Sequence, residues 1–438
     1  MRTIPCVVLL CLSSCVSQAA VSARAAAESE LAEPIVVDGP PESGAVQTGG
    51  CADLARSVAS RHPGSRAATQ RGRASLARSR AKGSLPPPRA AFEVWDFPIG
   101  APETADEDGM YMVSLGQELP APGMRSGEAR VDAEEARADA AEARERARMI
   151  YGEVAHACVD WAGSAAAIDH WRRYLSLVES SREASVAAFR AGAPLAGVAR
   201  LDAELATAER KLAIAEEETR QARRTLEELT RGLAKLPTEP PALSALSTPP
   251  LGGEAVAERD DVRAARGRVE GALAQSDVAE ASALEPELEV RATYMQMPGA
   301  RAGLGAMVGM SLPWLWGGGS DAREAAEHDV NAARSELESA QRRARAEVTR
   351  ADGQARVLGR SLQMLTEREI PAAERAMEAH HASATGALFD LAEWLEAALA
   401  LRQARLDEVE TRTALAHALV DLAIARGTPT AREGRRAP

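Results

Sequence analysis

Aromatic residues are scarce in this 438-residue chain: four Phe, four Tyr and six Trp, or 3%. Aromatic side chains supply much of the payload of a thick globular core, so their scarcity argues against one. Cysteine is also rare, at five residues, which excludes a disulfide-dense scaffold. Beyond the N-terminus no run reaches the ~18 apolar residues of a membrane-spanning helix. Positive charge is in deficit, with 52 Lys and Arg against 64 Asp and Glu and a net charge of -12. That balance disfavours nucleic acid, whose phosphates need a basic surface. No P-loop, Gly-x-Ser-x-Gly or Cys-x-x-Cys motif occurs. His62, His156, His170, His328 and His417 are scattered, and His380-His381 are adjacent rather than spaced i, i+4. They read as surface or packing residues. No enzyme activity and no cofactor is expected.

What is present is alanine and charge. The hydrophobic fraction is 45% and the charged fraction 26%. Ala with Glu, Arg and Leu marks long helices packed through small side chains, and the apolar content disfavours disorder. Residues 1–14 read as a secretory signal: Arg2 is a short charged start and Ile4 to Leu12 is mostly apolar. The stretch ends at Leu12-Ser13-Ser14-Cys15, which resembles the bacterial lipobox, so Cys15 is the expected lipid attachment site. Cleavage after Ser17-Gln18-Ala19 is the other reading. Cys6 and Cys11 leave with the signal, and Cys51 and Cys158 are taken as unpaired small residues. Residues 15–50 read as a flexible tether.

The remainder repeats. A first unit, 51–235, reads as a helix, a β-hairpin over 88–120, a long helix over 127–190 and a helix over 195–233. A Pro-rich linker, 236–253, follows. A second unit, 254–428, reads as a helix, a hairpin over 286–313, a long helix over 320–382 and a helix over 387–427, before a tail at 429–438. Leu119-Pro120 matches Leu312-Pro313, and Phe189 matches His381, so the period is ~190 residues, a duplication of one architectural unit. Ser320 is a plausible N-cap and Pro371 a kink.

The expected fold class is mainly α with a small β part. Two short strands beside a helix ~95 Å long leave open edges, and a ring of identical chains would close them. Phe92, Trp95, Phe97, Tyr111, Tyr294, Trp314 and Trp316 concentrate in or beside the strands. Such enrichment is expected of aromatic girdles on outer-membrane barrels.

Four local patterns resemble the TolC-like family of outer-membrane efflux proteins. Leu119-Pro120-x-Pro122-Gly123 and Leu312-Pro313-Trp314-Leu315-Trp316-Gly317 resemble its strand-to-helix switches. Arg259-Asp260-Asp261-Val262 resembles its Arg-Pro-Asp-Val run, with Asp260 in place of Pro. Phe189-x-x-Gly192 resembles the first helical tip. His381-x-x-Ala384-x-Gly386, leading to Asp390 and Glu393, resembles the second, with His381 and Ala384 replacing the usual Tyr and Gly. The resemblance implies a homotrimer in the outer membrane, with paired hairpins forming one β-barrel and the helices a periplasmic tunnel. It implies a periplasmic adaptor and an inner-membrane pump, of the RND type, as partners. It also places acids at the tunnel entrance, for which Asp390 and Glu393 are the candidates and Asp202 a weaker one. Met295, Met297, Met307 and Met310 cluster in one hairpin, with Met110 and Met112 on a first-half strand. Thioethers suit Cu(I) and Ag(I), so copper or silver is the expected cargo, against a packing role for the methionines. The alternatives are a type I protein-secretion channel and a periplasmic coiled-coil adaptor or scaffold lipoprotein.

Overall fold

The computed structural model describes residues 17–33, 51–95, 109–191, 194–243, 258–297, 301–316, 318–383 and 391–427. Its first half contains helices α1 (Gln18–Ala32), α2 (Cys51–Arg61) and α3 (Pro63–Lys82), strands β1 (Arg89–Trp95) and β2 (Met110–Leu119), and helices α4 (Met124–Arg190) and α5 (Ala196–Thr230). The second half has α6 (Asp260–Leu284), β3 (Leu288–Gln296), β4 (Gly303–Met310) and a 3-10 turn (Pro313–Trp316). It closes with α7 (Gly318–Met364), a π-helical turn (Leu365–Glu369), α8 (Ile370–Ser383) and α9 (Leu391–Arg426). Helix, hairpin, long helix and return helix therefore occur twice. Among the described residues no helix is long and apolar enough to cross a membrane.

The chain divides into two compact units. One takes the described residues within 1–34, 67–142 and 261–340, and the other those within 35–66, 143–260 and 341–438. In the first unit α3, α4 and α6 pack through small side chains. A Cβ on Gly127 would meet Val278 Cγ2 at 2.5 Å, and one on Gly267 would meet Ala138 Cβ at 3.2 Å. Only glycine permits so close an approach. Buried Ser79 donates to the Ala129 carbonyl at 2.5 Å, tying α3 to α4.

Part of the expected tether is a helix. Ser17 caps α1 by accepting from the Ala20 N–H at 3.3 Å, and Ala20, Ala23 and Ala27 are buried. Ala27 joins Leu76 and Ala136 in a small core. The spacing i, i+3, i+7 is an alanine stripe of the kind the longer helices use; the expectation of a tether read its small residues as low complexity. The Glu30 carboxylate accepts from Arg137 at 3.1 Å.

Two further corrections concern the second unit. The helix expected from residue 51 onward is split at His62, because Pro63 begins a new helix where its missing N–H costs nothing. The His62 Nδ1 accepts from the Gly64 N–H at 3.1 Å. Cys51 and Cys158, expected as unpaired, form a disulfide with a Cα–Cα distance of 6.1 Å. Both lie in a core with Val58, Val154, Trp161 and Leu226. Spacing in sequence could not reveal this, because 107 positions separate the partners and only helix packing brings them together.

The second core of this unit gathers Trp171, Tyr174, Leu201 and Trp394. Trp171 and Tyr174 meet edge-on with ring centroids 6.1 Å apart, so aromatics outside the strands gather in this core. Pro371 is accommodated by the π turn before it, where the Ile370 N–H bonds to the Leu365 carbonyl. A proline cannot donate and its ring crowds the preceding turn, and a widened turn relieves both problems. Ser320 is not the N-cap of α7, which starts earlier, at Gly318; its hydroxyl bonds Asp321 instead.

Candidate functional site: a two-faced sheet and the turns that aim it

The strands form one antiparallel sheet in the order β1-β2-β3-β4, so β2 and β3 join the two repeats. Residues directly opposite each other in an antiparallel ladder share a face. Phe92 opposes Val113, Val113 opposes Tyr294, and Tyr294 opposes Leu304. With a period of two, the same face carries Val94, Leu115, Leu288, Val308 and Met310. All of these side chains are exposed, Leu304 at 85% and Val308 at 70%. An exposed apolar surface this continuous is unusual for a water-facing sheet.

The opposite face is built mostly from other chemistry, although Trp95 and Met110 also lie on it. Glu93, Ser114, Glu118, Glu289, Arg291 and Thr293 lie on it, beside Gly116, Gly303, Gly305 and Gly309. Glu118 and Glu289 are direct cross-strand partners, an unfavourable like-charge pair. Arg89 offsets one at 2.8 Å and Arg291 the other at 2.7 Å. The sheet is therefore amphipathic by register alone, and a one-residue slip would exchange its faces.

The methionines divide between these faces. Met112 opposes Met295, and both share the polar face with Met307. Met310 lies on the apolar face, and exposed Met297 follows the end of β3. The Met295 methyl extends over the glycines of β4, where a Cβ on Gly305 would meet it at 3.5 Å. Among the described residues no group of three or more His, Cys, Asp or Glu could hold a metal ion.

The two switch turns differ. After Pro120, Gly123 has φ of 84°, a left-handed conformation that a side chain disfavours. Its carbonyl accepts from the Gly127 N–H at 2.7 Å and from the Ser126 hydroxyl at 2.8 Å, launching α4. Pro313 instead opens the 3-10 turn, where the Leu315 N–H reaches the Leu312 carbonyl at 3.2 Å. Gly317 lies outside the described residues. The second hairpin is closed at its base by the Glu287 N–H to Ser311 Oγ bond at 2.9 Å.

At the first helical tip Phe189 is exposed at the end of α4, and exposed Leu195 precedes α5. Gly192 lies outside the described residues. Asp202 is engaged by Arg182, so it is a partnered carboxylate. At the second tip Glu393 occupies the first turn of α9 and is exposed. Ala384, Gly386 and Asp390 lie outside the described residues, as does Cys15; His381 is in α8.

The Arg259-Asp260 run has a local role that its pattern did not disclose. Buried Arg259 donates to the Ala425 carbonyl at 2.8 Å and to Glu347 at 2.9 Å. Asp260, where a Pro was expected, begins α6 and accepts from buried Arg144 at 2.9 Å. An acid there both suits a helix N-terminus and needs a cation once buried.

The model of the outer membrane efflux protein family matches residues 251–428. No curated protein matches the chain. Among solved structures, the outer membrane protein VceC from Vibrio cholerae aligns with a TM-score of 0.70 at 18% identity, covering 86% of this chain and 95% of VceC. The open-state outer membrane channel MtrE from Neisseria gonorrhoeae gives a TM-score of 0.69 at 18% identity, covering 90% and 95%. CusC, solved in work on transmembrane channel formation, gives a TM-score of 0.74 at 15% identity, covering 90% and 97%. Residues 251–428 thus match the outer membrane efflux protein family, and the chain as a whole has the fold of the TolC-like outer-membrane channels.

Proposed function

We propose that this chain is the outer-membrane channel of a tripartite efflux system, passing substrates from a periplasmic adaptor and an RND-type inner-membrane pump to the exterior. One observation carries the reading: an edge-open sheet with an exposed apolar face and a polar face in strict register. Water favours neither open edges nor a bare apolar face. A homotrimer removes both faults, because three sheets of four strands close into one barrel with lipid outside and water within. Conduction would be passive, and no residue acts as a catalyst.

Lipid attachment at Cys15 fits α1. Cleavage before Cys15 leaves the Ser17 cap intact, whereas cleavage after Ala19 would remove it. Threefold repetition would turn Glu393, with Asp390, into an acidic ring at the entrance that favours cations. Met112, Met295 and Met307 on the polar face favour copper or silver as cargo, because thioethers bind soft monovalent ions. Copper tolerance that is unchanged by deletion would remove the metal reading. Duplication of the whole hairpin-and-helix unit argues against an adaptor; a type I secretion channel differs in cargo. The deciding experiment is mass and conductance of the detergent-extracted protein. A trimer that forms pores in planar bilayers is expected, and a monomer without conductance overturns the proposal.

A further inference from the structure

The helices of the first unit follow the order of the strands they serve. Buried Ser75 of α3 donates to Asp139 of α4 at 3.0 Å. Arg130 of α4 meets Glu270 of α6 at 3.2 Å, and Gly319 of α7 lies against Ala283 of α6. Along the chain α3 leads into β1, β2 into α4, α6 into β3 and β4 into α7. The layer therefore runs α3-α4-α6-α7 beside a sheet that runs β1-β2-β3-β4, and α3 and α7 are its two edges.

These edges carry opposite charge. α3 has no acid, and within the first unit it exposes Arg71, Arg73, Arg78, Arg80 and Lys82. Arg78 and Lys82 reach back to Asp132 of α4, at 3.7 and 3.4 Å, and Arg80 reaches Glu28 of α1. Arg71 and Arg73 make no ion pair among the described residues. The helical period places Arg73 with exposed Gln70 and Ala77 on the flank turned away from Arg78 and Lys82, and so away from α4.

Residues 318–340 of α7 hold six acids and two arginines, a formal charge of -4. Asp321, Glu324, Glu327, Asp329, Glu336 and Glu338 are all exposed. Buried Ala326, Val330 and Ala340 mark the side of α7 that packs on its own layer. By the same period Asp321, Glu324 and Glu338 fall on the side away from it, whereas Arg323 and Arg334 fall closer to it. Both charged stripes start at the sheet and extend roughly 30 Å from it, at 1.5 Å per residue.

An open sheet edge can pair with the same edge of another copy, giving an isologous dimer, or with the opposite edge of the next copy, giving a ring. Setting α3 beside α3 opposes cation to cation, and setting α7 beside α7 opposes acid to acid. Only α3 beside α7 brings unlike charges together. Single exposed ion pairs contribute little, so the stripes act as fields that decide which edge approaches which.

We propose that α3 of one copy packs beside the sheet-proximal half of α7 of the next copy, and that this charge match selects head-to-tail closure of the ring. The interface rests on the trimeric channel reading and names the surfaces through which the copies meet. Arg73 is its basic contact, and Asp321 and Glu324 are its acidic ones.

The test follows trimer dissociation of the full-length, detergent-extracted protein by native mass, between ~50 mM and ~500 mM NaCl. The added salt should weaken wild-type assembly roughly 10-fold, because it screens the stripes. Gln70→Glu with Arg73→Glu should weaken assembly at least 10-fold at low salt, as should Asp321→Arg with Glu324→Arg. Combining all four substitutions exchanges the charges of the two edges and should restore most of the loss, a recovery that damage to the fold would not give. A wild-type trimer indifferent to salt and to both reversals overturns the charge-matched interface and leaves the channel reading standing. Reversals that weaken assembly with no recovery in the combined variant also overturn it. A wild-type monomer overturns the interface and the channel reading together.

Discussion

A single arginine placed on either face of the sheet should separate lipid contact from simple exposure. Leu115 lies mid-strand on β2, opposite Ala90 and Ala292, and is 58% exposed. Thr293 lies one position along β3 from Leu115's partner and points to the opposite face, across from Ser114 and Gly305. If the apolar face meets lipid, Leu115→Arg places a charge in hydrocarbon at a cost of about 2–4 kcal/mol per chain near the midplane. That corresponds to roughly 30- to 900-fold in the folding equilibrium, and threefold assembly multiplies the penalty. Under the same reading Thr293→Arg would face water, across from Ser114 and Gly305, and should cost less than ~0.5 kcal/mol. The assay is reconstitution from denaturant into lipid vesicles, followed by the folded fraction and trimer yield. Leu115→Arg should lose most of its folded trimer and Thr293→Arg should match wild type. Equal losses, or the reverse order, would refute the assignment of faces.

Four other outcomes follow from the second unit. Reducing the Cys51–Cys158 bridge, or replacing both residues with Ser, frees a loop of 107 residues and should lower stability by about 3–5 kcal/mol in denaturant titration; no change would show that the bridge does not persist in solution. Gly163→Ala should destabilise by ~1–3 kcal/mol, because its Cβ would stand 2.6 Å from Oγ1 and 2.8 Å from Cγ2 of Thr413. Gly353→Ala, with nothing within 4 Å, should gain up to ~1 kcal/mol by helix propensity, as thermal melts can check. His170 is held down to about 4 from 6.5, by burial first and then by Arg173, Arg402 and Arg405. Its folded form binds the proton less readily than the unfolded chain, so its contribution is complete above pH ~6.5 and is lost as pH falls toward ~4, about 3 kcal/mol in all. His170→Phe should flatten that part of the stability profile, and an unchanged slope would assign it to other groups.

Much of the architecture was legible because it rests on periodicity. Alternation marked the strands at 91–97 and 287–295, and the prolines and glycines around 120–123 and 313–317 marked where their partner strands yield to helix. Proline-free Ala-Glu-Arg runs marked the long helices. The expectation of a tether at 15–50 failed where an alanine stripe mimicked low complexity, since composition is blind to whether a small side chain has a partner.

The site was legible only in part. The positions of the methionines along the hairpin were evident, but their division into Met112, Met295 and Met307 on one face and Met310 on the other depends on strand register. His156 and His417 looked scattered because 261 positions separate them, yet their Nδ1 atoms lie 2.7 Å apart. Arg144 had no motif at all, and its meaning comes from Asp260 replacing a proline. Local order, the duplication and the scarcity of aromatics follow from the sequence by itself, because turn chemistry, helix propensity and alternation act between near neighbours. The disulfide, the two faces of the sheet and the histidine pair were decided only by the tertiary structure, because each depends on which distant segments pack together and in what register.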